Sequence, residues 1–195
     1  MRLKTLVATS CALLLIGSSG ALAQSSDLVL GPDSKLWIDG TSNKSDWTVT
    51  VTEMDGTLTL DDSGQPARAV VTVVADKIES NKSKIMDRLM YRALKTQNHP
   101  TITYTLTTVD GQEGDSLATT GEVEVAGVTK PVPMKVQWEN GQGGEIRVRG
   151  SHSMKMTDHG MKPPTAMFGA LHTGDEVMVH FDVVFAPATT TSTDS

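Results

Sequence analysis

Short runs of alternating apolar and polar residues, separated by Gly, Asp and Asn, recur along the chain from Leu36 onward. Leu36, Ile38 and Gly40 share one parity, and Trp47, Val49 and Val51 share the next, interleaved with Thr48, Thr50 and Thr52. Leu58 and Leu60 follow Gly56 and stop at Asp61-Asp62-Ser63-Gly64, a strong turn signal. Period-two runs of this length predict antiparallel strands. Residues 69–75 are nearly continuous Val, the pattern of a strand buried on both faces, so a cover is expected for its second face. The cover predicted is a helix over 83–95. There Ile85, Met86, Leu89, Met90, Ala93 and Leu94 recur along one side, while Arg88, Arg92 and Lys95 face away, and Pro100 prevents continuation. Further strands are predicted over 101–109, 117–125, 132–139, 145–150, 151–157 and 176–185, with turns at 127–131 and 140–144. The fold class expected is mainly β: an antiparallel barrel of about eight strands with one short α-helix, since closure removes exposed edges.

The stretch 153–186 is irregular. An alternating Met154/Met156 strand breaks at Asp158-His159-Gly160, then crosses a loop carrying Met161, Pro163, Pro164, Met167, Phe168 and Leu171 before the last strand. Surface loops are usually polar, so these side chains are expected to form a lid or rim at one barrel end.

Composition narrows the options. Arg2 and Lys4 precede an apolar run, Leu6 to Ile16, followed by small residues up to Ala21-Leu22-Ala23. This pattern predicts a secretory signal over 1–23, too short to span a bilayer at roughly 20 apolar residues. Its removal takes away the single cysteine, Cys11, leaving an exported domain that relies on its core rather than on disulfides. The net charge of −6 becomes more acidic without Arg2 and Lys4, which argues against nucleic acid or an anionic lipid surface as partner. No phosphate-cradling Gly-rich loop, H-E-x-x-H, G-x-S-x-G or C-x-x-C is present, so an enzyme is not expected. His152, Met154, Met156, His159, Met161, Met167, His172, Met178 and His180 are dense in soft or imidazole ligands, which leaves a copper-handling or stress-related binding protein as the alternative. The other reading of these Met residues is adaptable lining for an apolar cavity. A barrel of about eight strands can enclose one small ligand.

An ordered series of segments carries a resemblance. It comprises Trp37-Ile38-Asp39-Gly40-Thr41-Ser42 followed by Asp46-Trp47, then Gly56-Thr57-Leu58, Met86-Asp87 with Ala93-Leu94-Lys95, and His99-Pro100-Thr101-Ile102. Gly121, Val128-Thr129-Lys130-Pro131-Val132 and Met156-Thr157-Asp158-His159-Gly160-Met161-Lys162-Pro163-Pro164 complete it. Over roughly 34–186 the chain resembles the YceI-like family. The resemblance implies a lipocalin-like barrel exported to the periplasm, with an elongated pocket for an isoprenoid or similar amphiphile and no catalytic residue set. His159 stands where that family usually has an aromatic residue.

The domain organisation expected is a signal peptide at 1–23, an N-terminal lead at 24–33, a lipid-binding barrel at 34–187 and a disordered tail at 188–195. The expected partner is an isoprenoid or other long-chain lipid, with no nucleic acid, no membrane span, no cofactor and no metal site, and a homodimer is compatible with this. Strand parity and bulk select the candidate lining residues: Ile38, Trp47, Met54, Ile102, Tyr104, Met134, Val136, Trp138, Met154, Met156, Phe181 and Val183. Asp87 and Asp158 are expected to anchor a helix end and a turn.

Overall fold

A computed structural model of the chain describes residues 26–80 and 84–188; the expected signal peptide and the tail from 189 onward lie outside the described residues. The strands in chain order are β1 (Ser26–Leu30), β2 (Lys35–Ser42), β3 (Trp47–Val51), β4 (Met54–Leu60), β5 (Pro66–Val74) and β6 (Ile78–Ser80). Helix α1 (Lys84–Leu94) follows, then β7 (Thr101–Glu113), β8 (Ser116–Val125), β9 (Val128–Asn140), β10 (Ile146–Lys155), β11 (Thr165–Ala166) and β12 (Leu171–Pro187).

All except β11 join one antiparallel sheet, which closes on itself as the expected eight-stranded barrel. The first six strands reduce to three long staves, each broken once. β1 and β2 run in succession along one edge of β12, with Leu30 opposite Phe185 and Lys35 opposite Asp182. The break between them is held by Gly31 N–H donating to the Val184 carbonyl at 2.7 Å. β3 pairs with β2 and β4 pairs with β1, so 47–60 form the second stave. β5 pairs with β4 and β6 with β3, separated by the 3-10 turn Ala75–Lys77. The step at Thr52-Glu53 shifts the inward parity from odd (Val49, Val51) to even (Leu58), which a two-residue side-chain period requires.

Tight turns and the chain ends of the barrel collect at one end: 61–65, 114–115 and 141–145. The other end, called the mouth below, carries the β2–β3 turn, α1, the Ala126-Gly127 turn and the loop 156–170. The buried cluster of Leu28, Leu58, Leu117, Trp138, Ile146 and Phe185 fills the tight-turn end as a floor. Two smaller clusters, around Val49, Val51, Val73 and Ile78 and around Val125, Met156, Met161 and Val177, lie nearer the mouth.

Several boundaries differ from the sequence reading. The lead expected at 24–33 contains β1, which pairs with both β4 and β12 and closes the sheet. Leu28 is 4% exposed within the floor cluster. The apolar run of β1, Leu28-Val29-Leu30, has no polar residue between its apolar ones, so it shows no alternation to register as a period. The strands expected at 145–150 and 151–157 are one, β10, because Gly150 is an inward position lying under Phe181 and not a turn. The turn expected at 127–131 is the two-residue Ala126-Gly127 pair, with φ of 52° and 81°, the primed geometry that matches strand twist.

The helix does not cover the outer face of β5. Both strands it joins, β6 and β7, meet it at the mouth, so it lies there against β6 and the preceding 3-10 turn. None of its residues is fully buried, and Ile85 is 67% exposed instead of sharing the covered side.

Leu28→Ala is expected to destabilise the protein by about 2–5 kcal/mol, the usual cost of emptying a leucine site in a floor this well packed. Urea denaturation would read this as a lower midpoint with an unchanged slope.

Candidate ligand-binding site

Above the floor the barrel encloses a cavity of about 550 Å³, inside the range of roughly 300–1,000 Å³ typical of ligand pockets. Its wall is almost wholly apolar. Of the residues selected from sequence, Ile38, Trp47, Ile102, Tyr104, Met134 and Val136 line it. So do Trp138, Met154, Met156, Phe181 and Val183. Met54 does not: it is packed between the floor cluster and the Val49/Val51/Val73 cluster, so its parity is inward but its side chain is covered by neighbours.

Selection by bulk passed over part of the β-branched lining, including Val71, Val123 and Val179, whose parity alone would have found them. It also passed over α1, which contributes Met86, Asp87, Leu89, Met90, Ala93 and Leu94. The apolar stripe of the helix was legible; that it faces a cavity and not a strand was not.

A barrel lined by aromatics stays open because three rings lie flat against the wall. Trp47 crosses Gly40, Tyr104 crosses Gly121 and Phe181 crosses Gly150, all glycines at inward positions on neighbouring strands. A Cβ on these glycines would stand 2.1 Å, 2.4 Å and 2.6 Å from the respective ring atoms. Glycine is required there by the ring's approach, and any larger residue drives the ring into the lumen.

The interior polar groups are few. Burial raises the Tyr104 phenol above its ordinary pKa, partly offset by a hydrogen bond with Thr119. His152 is held below its usual 6.5, first by burial and then by the neighbouring His159. The remaining polar lining gathers towards the mouth: Ser42, Lys44, Ser45, Thr48, Ser80, Asp87 and Thr173. The Asp87 carboxylate accepts the Ser80 N–H at 2.9 Å, tying the helix to the end of β6. Asp158 is exposed within the 3-10 turn Met156–His159. The carboxylate that anchors this turn is Asp175, which accepts from both the N–H and the hydroxyl of Thr157.

One seam of the barrel is open on the mouth side. β9 pairs with β10 only from Gln137 to Asn140, and Pro131 and Pro133 in the unpaired half carry no N–H to donate. The segment after β10 folds back into this seam. The His159 ring, 2% exposed, places Nδ1 3.0 Å from the carbonyl oxygen of Val128, while Met156 and Met161 pack against Val125 and Ala126. The histidine in the Asp-x-Gly segment is therefore a wall piece beside the cavity, not part of the cavity lining.

The loop beyond it divides. Met161, Pro164 and Leu171 border the cavity, while Met167 and Phe168 project outward at 73% and 114% exposure. Strand alternation likewise splits the Met- and His-rich stretch between faces. His152 and Met154 point inward, whereas His180 lies on the outer face, stacked on Trp37 and 3.2 Å from an Asp39 oxygen. Among the described residues no three His, Cys, Asp or Glu side chains gather as a metal site. No described helix is long and apolar enough to cross a membrane.

Comparison with known proteins agrees with this geometry. The YceI-like domain family matches residues 34–185. Protein YceI of Escherichia coli O17:K52:H18 is 34% identical over 91 residues, 45% of this chain and 47% of that protein. By that match, the chain spans about half the length of the curated relatives it matches. Among solved structures, a polyisoprenoid binding domain from Saccharophagus degradans superposes with a TM-score of 0.68 at 12% identity, covering 84% of this chain and 99% of that one. BcnA of Burkholderia cenocepacia superposes at 0.66 with 14% identity, covering 77% and 95%. At these identities the structural likeness is one of fold.

Two outcomes follow from the lining. Gly150→Ala is expected to push Phe181 into the lumen and weaken uptake of an apolar fluorescent probe several-fold, with the far-ultraviolet circular dichroism of the barrel retained. The neutral His152 contributes stability that is intact above pH 6.5 and lost as pH falls below it, because the unfolded chain then takes up a proton that the folded site resists. Urea midpoints measured downward from pH 7 should fall less steeply in His152→Asn than in the parent protein.

Proposed function

The chain belongs to the YceI-like family, and on that premise we propose that it is an exported, periplasmic binding protein for a long-chain amphiphile. The ligand class is a polyisoprenoid, an isoprenoid quinone or a fatty-acid-like lipid, with its chain in the barrel and its polar head at the mouth. The observation that carries this reading is the polarity gradient of the cavity. Its floor is a packed apolar cluster, its wall is apolar, and most of its hydrogen-bonding groups lie at the single end where α1 and the loop meet.

Binding follows from elementary energetics. Each methylene moved from water into such a wall gains about 0.8 kcal/mol, so a long chain needs few polar contacts to be retained. Met86, Met90, Met134, Met154 and Met156 supply flexible, polarizable surface that adapts to branched or straight tails. The helix supports the same reading. Its apolar stripe is only half-buried, and an occupying chain would cover it. The role proposed is holding a ligand, not transforming it.

Solvent extraction and mass spectrometry of protein purified from its native host should recover a long-chain lipid in near-stoichiometric amount. Met154→Glu should abolish retention and Met154→Leu should preserve it, while Lys155→Glu, on the exposed face of the same strand, should have no effect. Folded parent protein that yields no lipid and binds none of the added polyprenyl, quinone or fatty-acid probes would overturn the proposal.

A further inference from the structure

The chain is acidic overall, but its charges are segregated along the barrel axis. The tight-turn end exposes Asp61, Asp62, Glu113, Asp115 and Glu145. The mouth is closer to balanced: exposed Lys44, Lys130, Lys155 and Lys162 stand among exposed Asp46, Asp76, Glu79, Glu124, Asp158 and Glu176 and half-buried Asp87 and Asp175, and its basic patch is the outward face of α1, Lys84, Arg88 and Arg92 with Lys95 just beyond it. Of these acids, Asp87 is engaged by the Ser80 backbone and Asp175 by Thr157. The ion pairs among the described residues, Lys135–Glu113, Arg147–Asp182, Arg149–Glu139 and Arg149–Asp182, and the contact of His180 with Asp39, involve none of the mouth cations.

The same end carries an apolar projection that the folded chain does not use. Met167 and Phe168 both sit at positive φ, 51° and 55°, a conformation that side chains other than glycine seldom adopt in succession. The surrounding loop is held in place. Asn43 Nδ2 donates to the Ala170 carbonyl at 2.9 Å, its Oδ1 accepts the His172 N–H at 3.1 Å, and Thr173 N–H donates to the Pro164 carbonyl at 3.0 Å. Strained residues kept by a framework of hydrogen bonds point to a use for their exposure. The loop base is also beside the basic helix, since the Lys95 ammonium lies 4.0 Å from where a Cβ on Gly160 would stand.

We propose that the mouth of the barrel docks on an anionic lipid bilayer, with Met167 and Phe168 entering the headgroup region and the unpaired cations of α1 and the rim facing lipid phosphates. Apolar side chains at a tip, backed by basic residues, are the combination that binds such an interface. The acidic end then faces away from the membrane, so the net charge, which argues against an anionic surface, is overridden by its distribution at close range. Screening over about 8 Å at physiological ionic strength makes the near charges decisive. Docked in this way, the cavity opens towards the membrane.

The test is co-flotation of the purified protein with vesicles of phosphatidylglycerol and phosphatidylcholine, compared with phosphatidylcholine alone. Binding is expected only with the anionic vesicles, weakening in high salt. Met167→Ser/Phe168→Ser should reduce it at least ten-fold. Arg88→Gln and Arg92→Gln should each reduce it by about five-fold, and uptake of a soluble apolar probe should be unchanged in all of them. Parent protein that floats with neither vesicle, or variants that float as the parent does, would overturn the proposal. So would a dimer in solution that Met167→Ser/Phe168→Ser converts to monomer, since the face would then belong to a second copy. Vesicle binding by a protein that takes up no apolar probe would support docking while removing the cavity reading.

Discussion

Everything in this molecule depends on β12 finding two partners along one edge. Its last residues pair with β1 and its middle with β2, while its other edge is occupied by β10. This contact joins the N-terminal stave to the C-terminal one and turns an open meander into a barrel. An open sheet of the same strands would expose two edges and one large apolar face to water. Once closed, the sheet leaves its backbone groups paired except along the β9–β10 seam and its inward side chains enclosed, and the interior is then free to be filled or left open.

What leaves it open is a balance between packing at one end and thin walls above it. Leu58 and Leu117 are almost completely buried in the floor, where large side chains meet from opposite strands. Higher in the barrel many inward positions are Val, Ile, Met and Gly, and the glycines let Trp47, Tyr104 and Phe181 lie along the wall. A filled core would reach crystal-like density throughout; here that density is confined to the floor. The helix and the seam segment around His159 close the upper part with contacts that are mostly shallow, apart from the buried His159, Met156 and Met161.

The mouth is therefore where chemistry concentrates. The cations of α1, the strained Met167-Phe168 tip and the helix all arise from connections between strands, and much of the polar lining comes from those connections or the strand ends beside them. The tight turns at the other end are too short to carry such features, and they expose acidic residues. Asp61 among them accepts from Ser63 and Gln65, which holds its carboxyl below the usual carboxylate range. A meander barrel divides its ends in this way whenever alternate connections are long.

Period-two alternation is a local property of the chain, so it could be read without the structure. The strands, the barrel class and the inward face of nearly every candidate wall residue, from Ile38 to Val183, are written in it. So were the helix and the turn residues, since capping and breaking also act over a few positions. Met54 and Ile85 show the limit: each has a parity or stripe consistent with the apolar side, and each is placed by what surrounds it. Only long-range pairing decided that β1 closes the sheet, that β9 and β10 part beside His159, and that the helix faces a cavity. It alone brought the basic face of α1 to the mouth of an acidic chain. Alternation states which side of a strand is apolar, whereas register and closure determine what that side meets. Those depend on contacts between residues as distant as Leu30 and Phe185.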